Sequence, residues 1–101
     1  MKENTIVTVK LVSGEELVGK YIIDDMVNWT IYRPRLVQAN EKGVGLYDGI
    51  CLTGKRPDGN IQFPRNSVSF VVETATEIAN GWVSQTSGLA IPQKGLQGLV
   101  S

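Results

Sequence analysis

Histidine is absent from the 101 residues, and cysteine occurs once, as Cys51. Without imidazole there is no His-based triad or dyad, no His–Cys metal set and no histidine acid–base chemistry. A single cysteine excludes an intrachain disulfide framework and fits a reducing compartment. On an alternating strand, Cys51 reads as a small buried hydrophobe. No apolar run approaches membrane-spanning length, and "MKENTIVTV" carries one lysine and no long apolar core of a signal peptide. The expectation is a soluble, cytoplasmic protein with no membrane partner. "GLQG" and "GVG" lack the lysine and helix context of a phosphate-binding loop. No metal, cofactor or catalytic activity is expected. Charge of one sign is missing too: ten Lys and Arg balance ten Asp and Glu, for a net charge of +0. A protein that grips nucleic acid through phosphates alone would carry a basic excess, so any such binding must come from local clustering. Seven of the ten basic residues fall between positions 20 and 65: Lys20, Arg33, Arg35, Lys42, Lys55, Arg56 and Arg65.

What is present is a β pattern. Residues 5–12, "TIVTVKLV", alternate Val7, Val9 and Leu11 against Thr8 and Lys10, the mark of a half-buried strand. "SGEE" (13–16) is a turn, after which Leu17, Tyr21 and Ile23 share a face up to the turn pair Asp24–Asp25. "VNWTIY" (27–32) sets Val27, Trp29 and Ile31 on one side, with Trp29 read as core, and Pro34 interrupts. "NEKG" (40–43) is a second turn. "VGLYDGICLT" (44–53) reads as a fourth strand, "GKRPDGN" (54–60) as a hairpin loop, and "SVSFVVE" (67–73) as a fifth strand with Val68, Phe70 and Val72 inward. Five short strands without crossover helices predict an antiparallel sheet or small barrel over residues 1–73. Gly19 and Gly49, each inside a strand, are where the bends that close such a sheet cost least.

Residues 74–101 form a helix and tail of the same domain. Thr74 and Glu77 have the spacing of a capping box, and Ala75, Ile78, Ala79 and Trp82 share a helical face. Gly81 weakens this helix by roughly 1 kcal/mol, and Gly88 can terminate it. Residues 89–101 carry no period and read as an arm.

The stretch "VTVKLVSGEELVGKYIIDD" resembles the first motif of the Sm-like (LSm and Hfq) family: hydrophobic-x-L-x-x-G, hydrophobic-x-G, then D-x-x-x-N. "FPRNSV" (63–68) is a loose counterpart of the second motif, and the resemblance spans about residues 5–73. The tail "EIANGWVSQTSGLAIP" is similar to that of small Sm-like proteins of tailed cyanophages, which would place it in a host cell's cytoplasm. The resemblance implies a strongly bent five-stranded antiparallel barrel with a C-terminal helix. It also implies assembly through edge strands into a homo-oligomeric ring of five to seven subunits that binds single-stranded RNA. Only four residues precede Thr5, so the usual N-terminal docking helix has to be replaced by the C-terminal one. Keeping the D-x-x-x-N spacing assigns Asp24 to bracing the turn, Asn28 to hydrogen-bonding a base and Met26 to stacking on it. The ungapped register puts Asp25 and Trp29 at the Asp and Asn positions instead. Arg65, one place late, is the candidate basic residue of the second motif. Two functions stay open: an RNA-binding ring, and a structural or protein-interaction ring without a nucleotide pocket.

Overall fold

Six strands and one helix follow in order along the chain: β1 (Ile6–Leu11), β2 (Glu16–Asp24), β3 (Asn28–Asn40), β4 (Gly43–Leu46), β5 (Asn60–Pro64), β6 (Val68–Glu73) and α1 (Thr76–Thr86). A computed structural model describes residues 1–87. All pairings are antiparallel. β1 lies between β2 and β6, and β2 lies between β1 and β3. β3 pairs along its other edge with β5 through residues 28–32 and with β4 through residues 37–40. The sheet is not closed: β6 ends it on one side, and β4 and β5 end it on the other. No helix among the described residues is long and apolar enough to cross a membrane.

The core is built by the alternation read in the first two strands. Val7, Val9, Leu17, Tyr21 and Ile31 are buried together, and the half-buried Leu11, Trp29, Leu36, Ile50, Phe63, Val68 and Val71 pack around them. Each fully buried aliphatic chain in such a cluster contributes roughly 1.5–3 kcal/mol.

Gly19 stands opposite an irregularity that the sequence pattern hides. Val18 pairs with Arg35 and Lys20 with Tyr32, so Gly19 alone faces Arg33 and Pro34. This two-against-one bulge absorbs the proline, which has no N–H to give a ladder. It falls between the β5 and β4 segments of the opposite edge, where no partner is denied a bond. A Cβ on Gly19 would collide with Ile31 Cγ2 and sit 3.0 Å from the Tyr32 carbonyl oxygen and 3.2 Å from Pro34 Cα. Gly19 is therefore demanded by the close approach of β3.

Several expectations are corrected. The sheet has six strands, because β3 runs on through Pro34 to Asn40 and residues 60–64 form a strand. Of the expected fourth strand (44–53) only residues 44–46 lie in the sheet, within β4; residues 47–59 are a bent connection, so Gly49 bends no strand. Cys51 is exposed on that connection. Phe70 and Val72 point outward, at 52% and 47% exposure, and Val68 and Val71 point inward. The cause is a second bulge: Lys10 pairs with Phe70 and Leu11 with Val68, leaving Ser69 over and reversing the alternation of β6. Val27 and Ile23 are likewise exposed. The helix begins at Thr76 with Ala75 as its cap and no capping side chain. Thr74 is instead buried, its hydroxyl 2.9 Å from that of Thr8. Gly88 and the 89–101 arm lie outside the described residues.

Helix α1 is held to the sheet by Trp82, which is buried and donates from Nε1 to the Arg33 carbonyl at 2.8 Å. Arg33 returns a hydrogen bond from Nη1 to the Thr86 carbonyl at the helix end. The last turn of α1 holds no basic residue of its own, so Arg33 supplies the cation that a helix C-terminus favours.

Candidate functional site

Asp24 and Arg65 are bonded to each other at one end of the sheet and Met26 shares a groove with Arg65, while Asn28 opens β3 opposite Pro64 without lining that groove. The turn between β2 and β3 is shaped by Asp25, whose Oδ1 accepts from the backbone N–H of Val27 at 2.7 Å and of Asn28 at 2.8 Å. Those two amide donors, Asn28 first, hold the Asp25 carboxyl below its usual range. The Asp25 N–H closes the turn on the Asn28 carbonyl at 3.0 Å. This is the local bonding by which Asp favours turns. It leaves Met26 at the tip, 95% exposed. The Asn28 side-chain amide makes no hydrogen bond among the described residues, so its donors and acceptor are unspent.

Arg65 arrives from the other side of the sheet. β5 brings Pro64 opposite Asn28, and a single 3₁₀ turn over Arg65–Ser67 follows, closed by the Ser67 hydroxyl donating to the Pro64 carbonyl at 2.7 Å. The Arg65 N–H bonds the Val27 carbonyl at 2.9 Å, joining this turn to the β2–β3 turn. Its guanidinium Nη1 then donates to Asp24 Oδ2 at 2.8 Å and to the Asp25 carbonyl at 2.9 Å, with Cζ 4.9 Å from the centre of the Trp29 ring. Arginine suits this place because one planar group can bond a carboxylate and lie against an aromatic face together.

Asp24 has a second donor, the Tyr21 hydroxyl on Oδ1. Residues 21 and 24 would face opposite ways on a regular strand. A bulge at Ile22, between the Tyr21–Ile31 and Ile23–Thr30 pairs, puts them on one side. The Tyr21 bond, then that of Arg65, holds the Asp24 carboxyl below its ordinary value. The same bond, aided by burial, raises the Tyr21 hydroxyl above its own. Tyr21 also meets Trp29 edge to face, with centroids 6.0 Å apart. The result is a fixed chain, Tyr21–Asp24–Arg65–Trp29, under an open groove of about 340 Å³ lined by Met26, Val27, Pro64, Arg65 and Asn66. Sequence reasoning misses Tyr21 as a site residue and places Trp29 there only in the ungapped register. The signal that would find them is the bulge, which alternation does not display.

The sequence also missed a cluster at the far end of β3. Arg35 is buried, donating to the carbonyls of Pro34 at 3.0 Å and Pro57 at 2.8 Å, with Asp58 at 3.6 Å and Asp48 at 3.9 Å. Its Nε has no hydrogen bond, and burial lowers its pKa. Arg56 pairs with Asp58 at 3.0 Å and Asp48 at 3.3 Å; the Arg56 bond pulls the Asp58 carboxyl down. Among the described residues, no group of three His, Cys, Asp or Glu side chains is placed to hold a metal ion.

Comparison of the chain with protein-family models, curated proteins and solved structures returns no match.

Proposed function

We propose that this chain is the subunit of an Sm-like homo-oligomeric ring that binds single-stranded RNA at the Asp24–Asn28 turn and Arg65. The observation that carries the reading is the pre-set Arg65 guanidinium. It is anchored on Asp24 and laid over Trp29, and it leaves Nε and Nη2 free at a groove that the exposed Met26 also lines. In this reading Asp24 anchors Arg65, the turn amides that the D-x-x-x-N register gave to Asp24 are bonded by Asp25, and Trp29 serves as a half-buried floor under Arg65. In a ring the same hydrogen-bond donors recur in every subunit; because Asp24 and Asp25 offset the charge of Arg65, they act as directed donors and not as a positive field.

Ring formation is supported by the free edges. β5 and β6 are separated by one 3₁₀ turn, do not pair with each other, and leave outer edges open at opposite ends of the sheet. Pairing β5 of one copy with β6 of the next is a head-to-tail contact, which gives a ring where its rotation closes. Phe70 and Val72, exposed on β6, would be covered by it. A second reading, a protein-interaction ring without RNA, draws on the apolar groove tip at Met26 and Val27 and on the absence of an exposed aromatic face there.

The test is fluorescence anisotropy with uridine-rich and adenine-rich RNA oligomers at two salt concentrations. Asn28→Ala with Arg65→Ala is expected to weaken binding by about 1–3 kcal/mol, the scale of one stacked base, with the assembly intact by light scattering. RNA affinity unchanged in that variant would refute the site, and no affinity in the wild type would leave the protein-interaction ring as the function.

A further inference from the structure

A separate cavity of about 540 Å³ lies in the seam between α1 and the β2–β3 ladder. Lys20, Tyr32, Arg33 and Trp82 form its working walls, with Asn4 and Thr86 at the rim, and no lining residue is acidic. Each cation lies against the same ring: Lys20 Nζ is 5.5 Å and Arg33 Cζ 5.2 Å from the centre of Tyr32. Lys20 Nζ is also 6.0 Å from the Trp82 ring. Neither cation forms an ion pair among the described residues. That separates them from Arg35 and Arg56 behind the same wall, which are spent on Asp48 and Asp58.

Arg33 is held in this position at a conformational cost. Its φ of 49° is in the left-handed region, which a long side chain seldom occupies. Two backbone bonds fix it there: its N–H to the Gly59 carbonyl at 2.9 Å, and its carbonyl to Trp82 Nε1 at 2.8 Å. Of its guanidinium donors, Nη1 gives one to Thr86 and Nε one to the Asp58 carbonyl at 3.3 Å, so Nη2 stays free. The end of α1 brings roughly half a negative charge, less than the two full positive charges it faces. Asp58, bonded to Arg56, reaches Arg33 only at longer range, and no carboxylate lines the seam, so an anion there would meet Lys20 and Arg33 without a competing acid.

We propose that this seam is a phosphate-binding site. Lys20 and Arg33 neutralise the charge, and the Tyr32 hydroxyl and Asn4 amide, neither bonded among the described residues, supply further hydrogen bonds. The site shares no lining residue with the Met26–Arg65 groove and does not depend on the function proposed there. Its phosphate is that of a nucleic-acid backbone or of a free phosphorylated compound, and two probes separate these.

The full chain is titrated with inorganic pyrophosphate and, separately, with an abasic single-stranded oligodeoxynucleotide, following Trp82 fluorescence and heat at several salt concentrations. Binding is expected, with Lys20→Gln lowering the affinity and reducing the salt slope for the oligomer by about 1. Arg33→Asn, a residue that tolerates positive φ, is expected to do the same, and melting curves establish that each variant folds. If Arg33→Asn does not fold, Lys20→Gln alone decides. Preference for the abasic oligomer assigns the site to a nucleic-acid backbone, and preference for pyrophosphate to a free phosphate compound. Wild-type protein that binds neither probe, or a folded Lys20→Gln with unaltered affinity and salt slope, overturns the proposal.

Discussion

Asp24 shows how a single carboxylate can hold a turn. It takes the Tyr21 hydroxyl on one oxygen and Arg65 on the other, joining positions 41 apart in the chain. Both bonds favour its charged form, so its pKa is lower in the folded protein than the ordinary 3.8. The stabilisation is fully present above that ordinary value and is lost as pH falls through the lowered folded value. Asp24→Asn should therefore be less stable than the wild type at neutral pH, with the gap closing as pH drops below about 4. Urea unfolding of both proteins across this range measures it, and a gap that persists unchanged into acid would show that the charge of Asp24 is not what stabilises.

Among the elements, β3 organises the fold. Its thirteen residues pair with β2 on one edge and with β5 and β4 in succession on the other. The Arg33–Pro34 bulge divides those two segments and lets Arg33 and Arg35 leave the strand toward α1 and the 47–59 connection. Gly19 is the complement of that bulge on β2. Gly19→Ala has to displace the β3 backbone at Tyr32 and Pro34, as well as Ile31, and should cost about 1–3 kcal/mol, the usual range for overpacking. Chemical denaturation reads this directly. A neutral result would mean that the bulge opens without penalty. Helix α1 adds few apolar contacts to the core; Trp82 is its one buried large side chain, and its position is set by the same bulge through the Arg33 carbonyl.

At the scale of the molecule, the open sheet is the dominant fact. Unpaired strand edges invite pairing with another chain, and β6 adds Phe70 and Val72 to its edge. In the proposed ring, these residues are interface residues, and light scattering should return a mass of five to seven chains. Phe70→Glu places a charge in that contact and should shift the mass toward the monomer while the circular dichroism spectrum stays β-rich. A wild-type monomer at micromolar concentration would sink the ring.

The β class, the first strand with Val7 and Val9 buried, Leu17 and Tyr21 inward on the second, the turn after Asp24 and the helix around Trp82 are legible in the sequence. Each is a local matter of alternation, turn-forming side chains or helical spacing over a few residues. Three bulges were not legible, at Ile22, at Arg33–Pro34 and at Ser69. A bulge leaves the two-residue period intact on either side and shifts only its phase, and the phase is decided by the partner strand. That is why Phe70 and Val72 were read inward and Tyr21 was not matched with Asp24. The same limit applies to charge: Lys20 and Arg33 could be counted in the sequence, but whether an acid neutralises them depends on which strands and loops come together. Only the tertiary structure brings Asp48 and Asp58 to Arg35 and Arg56 and leaves Lys20 and Arg33 facing the seam without one.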